Sequence, residues 1–234
     1  MTNEHIVGKF DDELSRIKSE ILEMGDLVIE QIYLSTNAMM SLDTEDIDNL
    51  IQKDLKINGM YKTINRHAEQ IIAMRQPVAM DLRMALLATS IASELERLGD
   101  YAKTTAQGVK KLSDDKYVKK ITSLLGDMSK EVQDMLSKIL KAYQNNDIKL
   151  AAKIRKRDRI IDESFKKILN TVIKSISKIP EDSETLIYIV LLARNFERAG
   201  DRIVNISRQV HQIVTGIDLK ASDYQSYLYT HHRP

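Results

Sequence analysis

Apolar side chains recur every three or four residues along nearly the whole chain, the spacing that places them on one face of an α-helix. An early series consists of Ile17, Ile21, Met24, Val28 and Ile32. The next consists of Ile47, Leu50, Ile57, Tyr61, Ile64, Ala68 and Ile71. This period predicts an all-α protein built from long amphipathic helices.

Turn-forming residues interrupt the apolar pattern at five places, near residues 42–44, 77, 113–116, 145–147 and 180. Prolines, helix-capping residues and turn residues at these positions indicate helix boundaries. The predicted helices therefore cover about 10–41, 44–73, 78–112, 116–144, 147–177 and 181–215. Residues 217–234 have no clear period and are expected to form a tail.

The second half of the chain repeats the pattern of the first. The series that begins at Ile17 returns 104 residues later as Ile121, Leu125, Met128, Val132 and Leu136. The motif Glu-Arg-x-Gly-Asp at 96–100 returns 101 residues later at 197–201. This repeat predicts two tandem, pseudo-symmetric three-helix bundles, at 1–112 and 116–216, followed by the tail. A single extended six-helix bundle is the alternative.

Composition and charge exclude several classes of protein. The 35 Lys and Arg residues balance 34 Asp and Glu residues, so net charge indicates no nucleic-acid partner. With no cysteine, the chain has no disulfide or thiolate metal site. The longest uncharged apolar stretches, 84–93 and 185–193, are about half the roughly 20 residues of a membrane span. The N-terminus lacks the apolar core of a signal peptide, and a cytoplasmic, non-spanning protein is expected.

Two aspartates occupy positions where the pattern calls for apolar residues. Asp158 lies between Ile154 and Ile161, and Asp54 fills the equivalent place in the first half. A charge on a core-facing stripe has to be paired or coordinated, because its desolvation alone is very unfavourable. Each half is therefore expected to contain a partner for its aspartate.

The repeated Glu-Arg-x-Gly-Asp motif adds a pair of carboxylates to each half. Glu96 and Asp100, like Glu197 and Asp201, are four residues apart and lie on one helix face. Carboxylates at this spacing on adjacent helices, with small residues beside them, suit a hard cation. The alternative is an ordinary intrahelical ion pair between each Asp and the Arg three residues before it.

Other sequence features give weaker signals. The basic run KIRKRDR at 153–159 is expected to be a solvated helix face. The chain contains no Glu-x-x-His motif of di-iron helical proteins, no glycine-rich phosphate loop and no G-x-S-x-G nucleophile motif. Nothing in the sequence therefore indicates nucleotide hydrolysis or acyl transfer.

Four segments together resemble the PhoU family. They are GKFDDEL at 8–14, RQPVAMDLR at 75–83, ELERLGD at 94–100 and NFERAGDRIVNI at 195–206. The combination is specific, and the resemblance covers nearly the whole chain. It implies two similar three-helix bundles that lie side by side.

The resemblance also implies metal clusters at E/DxxxD motifs, which some members of the family bind. The matching pairs are Glu96/Asp100, Asp158/Asp162 and Glu197/Asp201, whereas the fourth pair, Asp54/Asn58, lacks its second acid. Oxygen ligands of this kind favour Mg²⁺, Mn²⁺ or ferric iron, with Zn²⁺ as a further candidate. Asn205 one turn beyond Asp201 is replaced by Thr104 in the first half, so the first site is expected to be weaker or empty.

In function, the resemblance implies a non-enzymatic regulator of phosphate homeostasis. Such a protein is an adaptor between the ATPase subunit of a phosphate transporter and a sensor histidine kinase. It represses starvation signalling and restrains phosphate uptake, and a homodimer is expected. The alternatives are a carboxylate-bridged metalloenzyme, either a phosphohydrolase or a redox enzyme, and a regulator of a different transporter.

Overall fold

The computed structural model describes residues 2–45 and 47–219, with side chains from residue 10 onward. Most of the predicted tail, from residue 220, lies outside the described residues. The described helices are α1 (Thr2–Ser41), α2 (Ile47–Arg75), α3 (Ala79–Gly108), α4 (Lys116–Asn145), α5 (Ile148–Ile176) and α6 (Ser183–Thr215). Short 3₁₀ turns cover Val109–Lys111 and Pro180–Asp182, and the described ranges contain no strand. None of these helices combines the length and apolar character needed to cross a bilayer.

Three predicted helix boundaries are wrong by more than a residue or two. Helix α1 begins at Thr2 instead of about residue 10, since residues 2–9 contain no proline to stop it. Helix α2 begins at Ile47 instead of 44, after a loop in which Leu42 has a φ of 57°. Helix α3 ends at Gly108 instead of 112, because its last residues tighten into a 3₁₀ turn.

Local capping explains the boundaries in the second half. The side chain of Asp115 accepts a hydrogen bond from the Tyr117 amide at 2.7 Å, and Asp147 accepts one from the Leu150 amide at 2.9 Å. Helix α4 is closed by its C-cap Asn146, which adopts the left-handed conformation. Asp115 and Asp147 are therefore N-caps, whose side chains satisfy backbone amides left free at the start of a helix.

The six helices form two three-helix bundles that lie side by side. Helices α1, α2 and α3 pack on one another, as do α4, α5 and α6. Contacts of α3 with α6 and of α1 with α4 join the bundles, and the buried apolar side chains form one continuous cluster through both. The predicted all-α fold of two tandem bundles is confirmed.

Small residues allow the bundles to approach closely. A Cβ atom on Gly25 of α1 would overlap the Leu140 side chain of α4. The Thr36 and Ser129 hydroxyls share a buried hydrogen bond of 2.6 Å between the same helices. The interface is therefore packed like a protein interior.

Only some side chains of the basic run at 153–159 on α5 are exposed to solvent. Arg157 donates to both carboxylate oxygens of Glu131 on α4, at 2.8 and 2.7 Å, and also pairs with Asp134. Lys153 and Lys156 are exposed. The ion pairs of Arg157 thus link α5 to α4 within the second bundle.

Candidate metal centres

The second-half candidate site lies between α5 and α6. Asp158 on α5 is only partly buried as a whole, but its Oδ1 atom is buried and has no hydrogen-bond partner. A Cβ atom at Gly200 of α6 would overlap that oxygen. The glycine of the Glu-Arg-x-Gly-Asp motif thus lets the carboxylate lie against the backbone of the neighbouring helix.

The acidic groups of this site act on one another. Burial, followed by repulsion from Asp162, Asp201 and Glu197, raises the pKa of Asp158 to about 7. Burial also raises the pKa of Glu197, against the opposing effect of Arg194. Charge repulsion therefore links Asp158 to the other three carboxylates predicted for the second half.

The first-half candidate site has a different set of neighbours. Asp54 on α2 is 2% exposed. Its Oδ2 atom accepts hydrogen bonds from Lys103 Nζ at 2.8 Å and from Asn58 Nδ2 at 3.1 Å. Lys103 Nζ also donates to Asp100 Oδ1 at 3.1 Å. Burial, with repulsion from Asp100 and Asp54, raises the pKa of Glu96.

The second site fits a metal ion better than the first. Both sites contain buried oxygens without a donor, Asp158 Oδ1 and Glu197 Oε2 in the second and Asp54 Oδ1 and Asn58 Oδ1 in the first. Among the described residues, only the second site lacks an ammonium group that joins carboxylates of its two helices. Over the described ranges, no three acidic or histidine side chains are grouped as a ready-made metal site. Coordination would therefore require these side chains to rotate. In the first site an ammonium group already lies between two of the carboxylates.

The ion pairs predicted as the alternative reading are absent from the described residues. Arg97 forms no salt bridge with Asp100, and Arg198 forms none with Asp201. Lys103 pairs with Asp100 instead. Lys103 was not among the residues predicted for the site. Alignment of the two repeats would have singled it out, since the equivalent residue 101 positions later is Val204.

Asn205 contributes to the interface between the bundles. Its Nδ2 atom donates to Glu94 Oε1 of α3 at 3.0 Å, and Arg202 Nη1 donates to Glu94 Oε2 at 3.3 Å. Glu94 is thus held by two residues of α6. The difference between Asn205 and Thr104 consequently affects how the bundles join.

Comparisons with known proteins agree with the repeat and the fold. The family model described as the PhoU domain matches residues 21–109 and 125–210, once in each bundle. A phosphate-specific transport system accessory protein PhoU homolog from Clostridium acetobutylicum is 31% identical, over 92% of this chain and 98% of its own. The phosphate-specific transport system accessory protein PhoU of Serratia marcescens is 32% identical, over 93% of this chain and 89% of its own.

Solved structures are similar over almost the same length. The crystal structure of PhoU from Pseudomonas aeruginosa has a TM-score of 0.82 at 28% identity, covering 89% of this chain and all of that one. The phosphate transport system regulatory protein PhoU from Streptococcus pneumoniae has a TM-score of 0.80 at 26% identity, covering 90% and 99%. With a family match in both bundles and relatives aligned nearly end to end, the chain belongs to the PhoU family.

Proposed function

We propose that this protein is a cytoplasmic, non-enzymatic regulator of phosphate uptake and of phosphate-starvation signalling. The observation that carries the proposal is its alignment, over 92 to 93% of the chain, with proteins named as accessory proteins of the phosphate-specific transport system. In this role it is an adaptor between the transporter ATPase subunit and a sensor histidine kinase. It acts as a homodimer, which sedimentation would detect as twice the chain mass of 26.8 kDa.

The second-half carboxylates are proposed to hold a metal ion that stabilises the α5–α6 pair. Glu197 and Asp201 on α6 would hold it together with Asp158 and Asp162 on α5. The support is the pair of buried oxygens without donors, together with the burial and the mutual repulsion that raise the pKa of Asp158. A hard cation such as Mg²⁺, Mn²⁺ or ferric iron would offset that repulsion, and Zn²⁺ is a further candidate.

A groove between α3 and α6 is the surface we propose for partner docking. Its lining includes Thr104, Gln107, Lys111, Tyr188, Leu191 and Arg194. Leu191 is 53% exposed, and Lys111 Nζ lies 4.3 Å from the centre of the Tyr188 ring. No acidic side chain lines the groove within the described residues. Apolar and cationic groups in this arrangement fit an acidic partner segment that carries an apolar anchor.

Complementation of a deletion strain tests the regulatory role and the docking surface together. Without this protein, a phosphate-starvation reporter should be on even in high phosphate, and the wild-type gene should switch it off. Leu191→Asp should fail to do so and should lose the ATPase or the kinase in pull-downs from phosphate-replete cells. The aspartate would be buried against the apolar anchor of the partner on binding and would repel its acidic side chains.

Ile173→Asp is the matched control, because Ile173 is 59% exposed on α5 and lies outside the groove. This variant should repress the reporter as the wild type does. A deletion strain whose reporter stays off in high phosphate contradicts the regulatory proposal. Equal repression by Leu191→Asp and wild type contradicts only the docking surface.

A further inference from the structure

The two halves of the repeat differ in one cation at equivalent carboxylate sites. In the first half, Lys103 Nζ lies 2.8 Å from Asp54 Oδ2 and 3.1 Å from Asp100 Oδ1. It therefore bridges a carboxylate of α2 and a carboxylate of α3, as a metal ion between those helices would. Asn58 contributes a further donor to the same oxygen of Asp54.

The second half contains neither of these donors. Val204 stands at the place of Lys103, and Asp162 at the place of Asn58. Within the described residues the Asp158 carboxylate accepts no hydrogen bond, and one of its oxygens is buried. The replacement of a cation by an apolar residue and of an amide by an acid makes this site the more negative of the two.

Two arginines near the second site, Arg194 and Arg208, do not take over the role of the lysine. Arg194 Nη1 pairs with Glu197 Oε1 at 3.1 Å, on the same helix. Arg208 lowers the pKa of Asp158 through its charge, but its Nη1 atom donates to Asn205 at 3.2 Å. Neither arginine forms a salt bridge that joins a carboxylate of α5 to one of α6, and Asp158 Oδ1 stays without a donor.

Because Asp54 is buried, its carboxylate requires the lysine as a counter-charge. Asp54 is 2% exposed, and such a charge needs a permanent counter-charge. A metal ion there would have to displace an ammonium group that already makes two ion pairs.

We propose that Lys103 is a built-in cation that replaces the metal ion in the first half, so that this chain binds hard metal ions only between α5 and α6. The family resemblance implies two metal sites, and this chain has converted one of them into a lysine bridge. The inference rests on the metal site proposed above for the second half.

Manganese binding to full-length, chelator-stripped protein tests this assignment. Mn²⁺ is the probe, free Mn²⁺ is followed by electron paramagnetic resonance, and bound metal is counted by elemental analysis. The double variant Glu197→Ala/Asp201→Ala should bind no Mn²⁺, because the first half is closed by its lysine. Adding Lys103→Val, the residue of the second half, should restore about one equivalent per chain, and adding Asp54→Asn should remove it again.

Two further variants serve as a control and as a second substitution of the lysine. Lys120→Val removes an exposed lysine of α4 and should restore no binding in the double variant. Lys103→Gln keeps a donor for Asp54 without the charge, so it tests the same step if the valine variant fails to fold. Circular dichroism of each protein without metal establishes folding.

Different outcomes separate the lysine assignment from the metal proposal. Mn²⁺ retained by Glu197→Ala/Asp201→Ala and lost on Asp54→Asn shows a working first site and overturns the lysine assignment alone. Folded lysine variants that restore no binding also overturn it. Wild-type protein that binds no Mn²⁺ overturns the metal proposal, whereas a gain of binding on Lys103→Val still supports the role of the lysine.

Discussion

Asp54 and Asp158 occupy the same position in the repeat, but their environments differ. Asp54 is buried deeply and is held by a lysine and an asparagine. One oxygen of each aspartate is buried without a donor, but within the described part of the chain Asp158 has no donor on its other oxygen either and is repelled by three further acidic groups. The same residue type at the same helical position is thus part of an ion pair in one half and of a repulsive cluster in the other.

Loss of the two α6 carboxylates should remove metal from the second site. Glu197→Ala/Asp201→Ala leaves only Asp158 and Asp162, too few ligands for a hard cation. The variant should stay folded, because it also removes like-charge repulsion around Asp158. Elemental analysis after stripping and reloading checks this, with the protein's helical circular dichroism as the control. Equal metal content in variant and wild type would contradict the site.

His211 should make the stability of the protein depend on pH. It is 4% exposed in α6, and burial together with nearby Arg155 lowers its pKa below the usual 6.5. The unfolded chain then binds a proton that the folded chain resists, so the free energy of unfolding falls as the pH drops below about 6.5. Denaturant unfolding at pH 7.5 and pH 5.5 measures the loss, which should be smaller in His211→Gln. An equal loss in both proteins would contradict the assignment.

At the scale of helices, glycines determine how closely α1 can approach α4. Gly25→Val would force the Leu140 side chain out of its place, and such overpacking costs about 1–3 kcal/mol. Gly59 on α2 has nothing within 4 Å of an added Cβ, so Gly59→Val is the matched control. It should leave the free energy of unfolding unchanged or raise it by less than about 1 kcal/mol, since valine is the better helix former.

Urea unfolding of the two glycine variants, followed by circular dichroism, provides the measurement. The midpoint should fall for Gly25→Val and not for Gly59→Val. A fall of equal size in both variants would mean that a β-branched residue in the helix, and not the contact with α4, is responsible.

At the scale of the whole molecule, the two bundles share one core. Buried apolar side chains form a continuous cluster through both, and α3 packs on α6 as α1 packs on α4. Separation of the halves would expose these faces to water, at a cost of about 25 cal/mol for each Å² of apolar surface. The bundles are thus expected to depend on each other for stability.

The full chain should therefore unfold in one cooperative transition. Calorimetry should show a single peak whose calorimetric enthalpy equals its van't Hoff enthalpy. Each half expressed alone, as residues 1–112 or 116–216, should melt at a lower temperature than the full chain. Two resolved transitions, one for each half, would contradict the shared core.

Helix pattern and repeat could be predicted from the sequence because they are local or one-dimensional properties. A helical period depends on residues three and four apart, and the 104-residue recurrence of Ile17 at Ile121 is visible without coordinates. Some helix ends could not be predicted in this way. The end of α3, for example, depends on where tightening into a 3₁₀ turn satisfies the backbone.

The chain by itself determined which acidic residues lie on the helix faces of each bundle, since their spacing places them there. The tertiary structure decided which hydrogen-bond and ion-pair partners each acidic residue has. Lys103 bridges Asp54 and Asp100, and Asn205 turns to Glu94 in the other bundle. These contacts join helices far apart in sequence, and a buried carboxylate takes whichever donor the packing brings within reach. For this reason the repeat could be read from the chain, whereas the difference between its two sites depends on the fold.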